Sequence, residues 1–237
     1  MKRTATIIGL ALLLGALPRA RAAEGPARIL ILGDSMMRVP SHSIELEFSR
    51  HEGVTTRLFT SLGSGLARLD VVDWIERIRA LVPEFQPDTS IIWIGTNDEQ
   101  PMRTPAGIIR PEQPGWSEEY ARRVGEAMDL LGRGGEAKVY WLELPDMPKP
   151  EIQKSADRIN GLVDQEAAKR PFVIHYKTRS FLSRTPGTFS RYVLRPNGMP
   201  LSVRDTDGVH LDRNGADLMA RKLAETFWPT ATAAAEK

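Results

Sequence analysis

Four short polar stretches of the chain contain the residue types that serine-based acyl chemistry needs. They are Gly33-Asp34-Ser35, Gly63-Ser64-Gly65, Gly95-Thr96-Asn97-Asp98 and Asp207-Gly208-Val209-His210. A serine hydroxyl is a weak nucleophile at neutral pH. It needs a base within hydrogen-bond reach, a group that orients the base, and donors for the oxyanion that forms. The four stretches offer a candidate for each of these roles.

The last stretch carries the base and its orienting group. An aspartate three residues before a histidine, on a loop ahead of a helix, can accept a hydrogen bond from the ring Nδ1. That bond fixes the tautomer and leaves Nε2 to face a serine. Ser35 is thus a candidate nucleophile, His210 a candidate general base and Asp207 a candidate for orienting the base, and the family resemblance described below implies these same three roles. Asp205 competes with Asp207 for the orienting role.

The two middle stretches carry candidate oxyanion donors. The side-chain amide of Asn97 is one, and a glycine at position 63 or 65 leaves a backbone amide open to substrate. Taken alone, each stretch is also typical of an ordinary turn or helix cap. The stretches indicate a catalytic site because all of them occur in one chain and in this order.

The segments between these stretches alternate between strand and helix patterns. Strands are predicted at 28–33, 54–62, 89–94, 138–144 and 172–176, and helices at 43–51, 69–85, 117–131, 151–169 and from Asp212 to about 227. A run that is apolar at every position, such as Ile91 to Ile94, is typical of a parallel strand covered on both faces. We predict an α/β fold with helices on both faces of a parallel sheet.

In such sheets ligands bind beyond the carboxyl ends of the strands. The first three polar stretches each directly follow a predicted strand, so we expect them to meet along one edge. Residues 99–116 are predicted to be a loop. Residues 189–194 and 201–204 are predicted to pair as a hairpin over the site.

The first residues are typical of a secretory signal peptide. A basic start is followed by an uncharged apolar run from Thr4 to Leu17 and a small-x-small site at Ala20-Arg21-Ala22. We predict a signal peptide at 1–22, one domain at 23–229 and a disordered tail at 230–237, with the mature protein in a bacterial periplasm or secreted. An uncleaved N-terminal anchor is the alternative.

Charge and cysteine content narrow the function classes. Loss of the four basic residues in 1–22 takes the count from 32 basic residues to 28, against 30 acidic ones, so the mature chain has a net charge of −2. That balance does not favour nucleic acid or an anionic membrane as partner. With no cysteine and only four histidines, neither a disulfide nor a metal site is predicted, and no cofactor is expected.

Other serine and nucleotide motifs fit poorly. An α/β-hydrolase elbow needs a second glycine where Met37 stands. A dinucleotide fingerprint that starts at Gly63 has Arg68 in place of its third glycine.

With its four blocks in this order, the chain resembles the SGNH (GDSL-type) hydrolase superfamily. The stretches 64–68, 97–100 and 207–211 look most like the exported bacterial DUF459-type group. The resemblance implies a single-domain three-layer α/β/α architecture with about five parallel strands, the flavodoxin-like SGNH fold. It also implies an oxyanion hole made by the amide of Ser35, a glycine amide and Asn97, with Gly65 preferred over Gly63.

The resemblance further implies a serine esterase that cleaves acyl groups such as acetyl, on cell-envelope or extracellular polysaccharide. Two alternatives stay open: an O-acyltransferase to a glycan hydroxyl, with a possible membrane acyl-transfer partner, and a non-catalytic envelope binding protein. Six side chains are candidates for substrate contacts, by stacking on sugars or by meeting an anion: Trp116, Tyr120, Tyr192, Arg103, Arg110 and Arg204.

Overall fold

The structure is a computed structural model that describes residues 26–229. The predicted signal peptide and the predicted tail lie outside the described residues. The strands are β1 (Arg28–Gly33), β2 (Thr55–Thr60), β3 (Thr89–Trp93), β4 (Met102–Thr104), β5 (Gly107–Ile109), β6 (Lys138–Leu142), β7 (Val173–Tyr176), β8 (Tyr192–Leu194) and β9 (Pro200–Ser202). The helices are α1 (Ser35–Phe48), α2 (Trp74–Phe85), α3 (Trp116–Leu131), α4 (Pro150–Ala167), α5 (Arg179–Leu182) and α6 (Arg213–Phe227).

Five strands form one parallel sheet in the order β2-β1-β3-β6-β7. The central strands are buried along most of their length, as their uninterrupted apolar sequences predict. The predicted α/β class with a central sheet of five parallel strands is confirmed. The chain order reverses between β1 and β3, the place where ligands bind in such sheets.

Helices cover the sheet in two groups. Helix α1 packs against α6, while α3 packs against both α2 and α4. The α1–α6 contact closes with an aromatic cluster in which Phe48 lies 5.5 Å from Phe227 and 5.1 Å from Trp228, measured between ring centroids. The first and last described helices are therefore neighbours.

Four predicted segments differ from the observed ones. The helix predicted at 69–85 begins only at Trp74, because the Asp73 side chain caps it by accepting from the Glu76 amide. Helix α1 begins at Ser35 and not at Ser43, because the Asp34 side chain caps it by accepting from the Met36 amide, and Pro40 is accommodated within it. The predicted loop 99–116 contains the antiparallel pair β4–β5. The predicted hairpin is present with shorter strands, β8 and β9, and packs against α5 and α6.

Within residues 26–229 no helix is both long and apolar enough to span a membrane.

Candidate active site

Three side chains from the two ends of the described chain form a continuous line of hydrogen bonds. Ser35 Oγ lies 2.8 Å from His210 Nε2, and His210 Nδ1 lies 2.6 Å from Asp207 Oδ2. With the proton on Nδ1, the ring donates to the carboxylate and accepts from the serine hydroxyl. This is the geometry that lets an imidazole remove the proton of an attacking serine.

The Asp207 carboxylate is held in place by its own loop. Its Oδ1 accepts from the amides of Val209 (2.8 Å) and His210 (3.0 Å). Burial raises the pKa of Asp207, but the hydrogen bonds from the His210 ring and from these two amides outweigh it, so the pKa lies below its usual value. Asp205 instead accepts from the Thr206 amide, so Asp207 is the carboxylate beside the ring.

Asp34 ties the serine turn to the neighbouring loop. It is fully buried, and its Oδ2 accepts from the Gly95 amide (3.1 Å) and the Thr96 hydroxyl (3.2 Å). Burial raises the pKa of Asp34 to about 7, against the opposing effect of hydrogen bonds from the Met36 and Gly95 amides. The residue before the serine therefore sets the start of α1 and its distance from β3.

The Asn97 side chain faces the loop that follows β2. Its Nδ2 donates to the Ser64 carbonyl at 3.0 Å. A primary amide has two N–H donors. This contact therefore orients the group while its second N–H remains to meet another oxygen.

The two candidate glycines have different structural reasons to be glycine. Gly63 has φ +65°, which side chains rarely adopt, and a Cβ there would meet no atom within 4 Å. At Gly65 a Cβ would lie 1.8 Å from Asp98 Oδ1. Position 63 thus requires glycine for its backbone conformation. Position 65 requires glycine because the Asp98 carboxylate packs directly against the backbone there. Within residues 26–229 the amides of Ser35 and Gly65 donate no hydrogen bond, so both remain available to a ligand.

Asp98 is a buried support that the sequence analysis did not single out. It accepts from the amides of Leu66 (3.1 Å) and Ala67 (2.9 Å) and from the Tyr120 hydroxyl (2.7 Å). Burial raises the pKa of Asp98, and these donors act in the opposite direction. The only available signal was its position directly after Asn97.

Arg204 is buried, which contradicts its predicted role as an exposed contact for an anion. Its side chain is 1% exposed and donates to the carbonyls of Val209 (3.2 Å) and Asp146 (3.3 Å). Burial lowers the pKa of Arg204 to about 10, although the charge of Asp146 acts against that shift. The guanidinium lies beneath the loop of Asp207 and His210 and fixes the carbonyl next to the histidine.

Two of the three candidates for sugar stacking are packing residues instead. Trp116 and Tyr120 are fully buried and stack on each other, 5.2 Å apart. Tyr192 is 48% exposed, and Arg103 and Arg110 are exposed. Exposure was not predictable for α3, because its amphipathic pattern does not show which neighbour covers its first turn.

The triad is open to solvent. The side chain of His210 is 35% exposed and that of Asp207 is 48% exposed. Phe189 and Pro148 lie against the same loop, since a Cβ on Gly208 would lie 3.2 Å from the Phe189 ring and 3.0 Å from Pro148.

Among residues 26–229 no group of three or more histidine, aspartate or glutamate side chains is arranged to hold a metal ion.

A family model described as "Protein of unknown function (DUF459)" matches residues 28–226. The chain belongs to the DUF459 family. The predicted membership is thereby confirmed, and the match extends from β1 to the last turn of α6. No curated protein matches the chain.

Solved structures share the fold of this DUF459 protein at low sequence identity. An acetylxylan esterase from Geobacillus stearothermophilus is 14% identical, with a TM-score of 0.53 over 87% of this chain and 96% of that one. The catalytic domain of a peptidoglycan O-acetyltransferase from Streptococcus pneumoniae is also 14% identical, with a TM-score of 0.50 over 90% of this chain and 96% of that one.

A third structure, a gut microbial diltiazem-metabolizing enzyme, is 15% identical with a TM-score of 0.53. The match covers 85% of this chain but only 46% of that enzyme, so the chain spans under half of its length. The likeness to these structures shows that the chain shares their fold.

Proposed function

We propose that this protein is an exported serine esterase that cleaves short acyl esters, such as acetyl, on cell-envelope or extracellular polysaccharide. The observation that carries the proposal is the 2.8 Å contact between Ser35 Oγ and His210 Nε2, with the ring anchored at its other nitrogen by Asp207. A structural turn would not need residues 175 positions apart to meet in this orientation.

The first half of the proposed reaction acylates the serine. The Ser35 oxygen adds to the ester carbonyl carbon while its proton moves to His210 Nε2. The C–O bond to the alcohol then breaks, and the alcohol leaves with that proton. Asp207 stabilises the imidazolium that exists between these steps.

The second half releases the acyl group. Water adds to the acyl-serine and gives a proton to His210. The bond from the acyl carbon to Ser35 breaks, and the serine recovers its proton as the free acid departs. A glycan hydroxyl in place of water would give a new ester and make the protein an O-acyltransferase.

The oxyanion hole in this proposal comprises the amides of Ser35 and Gly65 with the second N–H of Asn97. Two features support it. Both amides lack an acceptor within residues 26–229, and the Asn97 side chain is oriented by the Ser64 carbonyl. Donors fixed before the reaction stabilise negative charge without reorganisation. We propose Gly65 and not Gly63, because the Gly65 loop is held by the buried Asp98.

The substrate class is supported by the solvent-exposed triad and by the names of the structural relatives. A shallow centre accepts a small acyl group carried on a bulky alcohol such as a polysaccharide. One relative is an acetylxylan esterase and another a peptidoglycan O-acetyltransferase. Export follows from the predicted signal peptide at 1–22, and periplasmic or secreted localisation is part of the proposal.

The deciding experiment compares the wild type with Ser35→Ala on p-nitrophenyl acetate. We expect nitrophenol release by the wild type and a loss of about 10⁴-fold or more in kcat for the variant. Circular dichroism checks that both are folded. Equal rates from the two proteins would refute a serine mechanism, and no release from any acyl donor would favour a non-catalytic binding protein.

The transferase is retained as a second candidate because one structural relative is an O-acetyltransferase and the exposed triad can admit an alcohol. Adding a soluble oligosaccharide to the same reaction separates the two. Formation of acetylated sugar at the expense of free acetate identifies a transferase, and unchanged acetate release identifies a hydrolase.

A further inference from the structure

A large concavity lies between the β8–β9 hairpin, α5 and α6. We name it the hairpin groove, and its volume is about 1020 Å³. A site of this size holds a ligand of several sugar rings. Its end at Asn214 is four residues from His210, and the Ser202 hydroxyl of β9 donates to Asp212, the cap of α6. One end of the groove therefore lies on the first turn of α6, the helix that directly follows the loop of Asp207 and His210.

The groove concentrates positive charge. Its cationic side chains are Arg184, Arg195, Arg221 and Lys222. The complete chain carries 32 basic and 30 acidic residues, so a general excess of basic residues does not account for this cluster.

The acids of the groove already have partners. Asp217 accepts from the Ser43 hydroxyl at 2.7 Å, and Glu225 pairs with Lys222 at 2.7 Å. Arg184, Arg195 and Arg221, in contrast, form no ion pair with any acid in the described part of the chain. Three guanidinium groups are thus left for a ligand.

The rest of the lining suits a carbohydrate. Asn197 and Asn214 provide amides, and Phe181 and Leu194 provide apolar surface. A smaller hollow of about 340 Å³ shares Arg184 with the groove and contains the exposed Tyr192. Aromatic rings beside guanidinium groups are suited to sugars that bear carboxylates.

We propose that the hairpin groove binds a carboxylate-bearing polysaccharide and leads its ester groups to Ser35. The proposal rests on the proposed esterase function and narrows its substrate to a polyuronate-type glycan. The guanidinium groups engage the uronate carboxylates, and the ester-bearing residue extends from the end at Asn214 toward the triad.

Binding is tested with the full chain carrying Ser35→Ala, titrated with polygalacturonate in a calorimeter. We expect saturable binding that weakens as NaCl rises from about 50 to about 500 mM, because exposed charges are screened. Adding Arg195→Gln and Arg221→Gln should weaken binding about tenfold.

The matched control is Arg50→Gln with Arg79→Gln, which removes the same charge from the turn after α1 and from α2, at exposed side chains that do not line the groove and that pair with Glu47 and Glu76. It should bind as tightly as the parent. Equal binding by the groove variant, no binding at all, or equal affinity for dextran or a single-stranded oligonucleotide would overturn the proposal.

Turnover separates this proposal from the esterase proposal. With Ser35 present, the groove variant should show a raised KM on acetylated polygalacturonate and unchanged hydrolysis of p-nitrophenyl acetate. An unchanged KM overturns the groove as a substrate site. Absence of p-nitrophenyl acetate hydrolysis in the wild type refutes the esterase alone, since calorimetry on the groove needs no reaction.

Discussion

Substitution of Asn97 tests its proposed role in the oxyanion hole. Its side chain makes one hydrogen bond, to the Ser64 carbonyl, and is not part of the buried core. We expect Asn97→Ala to lower kcat by about 10²–10³-fold, with KM and melting temperature nearly unchanged. Steady-state kinetics on p-nitrophenyl acetate measures kcat and KM of the variant. Full activity would show that Asn97 takes no part in the mechanism.

Two aspartates on one loop form a matched pair for the orienting role. Asp207 contacts the His210 ring, whereas Asp205 accepts from Thr206. Asp207→Asn should lower kcat by about 10⁴-fold, as the equivalent change does in a serine protease, because an amide favours the wrong tautomer. The kcat of Asp205→Asn should stay within about threefold of the wild-type value. Asp205 does not contact the His210 ring, so its charge does not set the tautomer. Similar losses in both variants would mean that the loop, and not the carboxylate, matters.

At the scale of elements, the loop after β2 depends on a close approach between backbone and carboxylate. Gly65→Ala places a methyl group against Asp98, so we expect a loss of roughly 2–4 kcal/mol in the free energy of unfolding. Gly63→Ala has space but a positive φ, and its cost should be about 1 kcal/mol. Urea denaturation of the two variants measures the difference, and the reverse order would contradict this account of the loop.

Asp34, which joins the start of α1 to the loop after β3, should give the protein a distinctive pH dependence. An unfolded aspartate releases its proton near pH 3.8, whereas folded Asp34 does so near pH 7. Between these values the folded state holds the extra proton, so its contribution to stability falls as pH rises from about 4 to about 7 and is constant above.

A shift of this size corresponds to roughly 4 kcal/mol. Asp34→Asn cannot titrate, so the difference in unfolding free energy between the two proteins should vary with pH over that window. Urea titrations at several pH values measure it. A difference that is constant with pH would show that Asp34 is ionised throughout.

For the whole molecule, the contact between the first and last helices is the critical packing. Phe48 is fully buried against Phe227 and Trp228, and Leu46 on the same helix is 56% exposed. Phe48→Ala should lower the unfolding free energy by about 3–5 kcal/mol. Turnover should fall in proportion to the fraction of protein that is no longer folded. Leu46→Ala should change stability by less than about 0.5 kcal/mol. Undiminished stability in Phe48→Ala would show that α1 and α6 are held together elsewhere.

The sheet and the meeting of Ser35, Asp207 and His210 were predictable, because strand sequences and topology send successive loops to one edge. The four blocks therefore predicted which loops meet at that edge, and their catalytic role stays a prediction. Arg204, in contrast, was predicted to be exposed. Its burial depends on Asp146, 58 positions away, and no local pattern shows that a guanidinium will lie under a loop.

Burial on α3 was unpredictable for a related reason. Trp116 and Tyr120 open an amphipathic helix, and only the position of the preceding loop decides which of its first residues are covered. The supporting role of Asp98 was unpredictable for the same reason. A carboxylate after an asparagine is ordinary turn chemistry until the Gly65 loop is seen to close upon it.

The 175-residue separation of the reacting hydroxyl and imidazole has a consequence for biogenesis. In the proposed mechanism, Ser35 has no base to activate it while the ribosome is still making the middle of the polypeptide. Activity then requires that α6 has emerged and docked beside α1. If the chain is threaded through a translocon unfolded, it stays inert in the compartment where it is synthesised and becomes competent only on arrival.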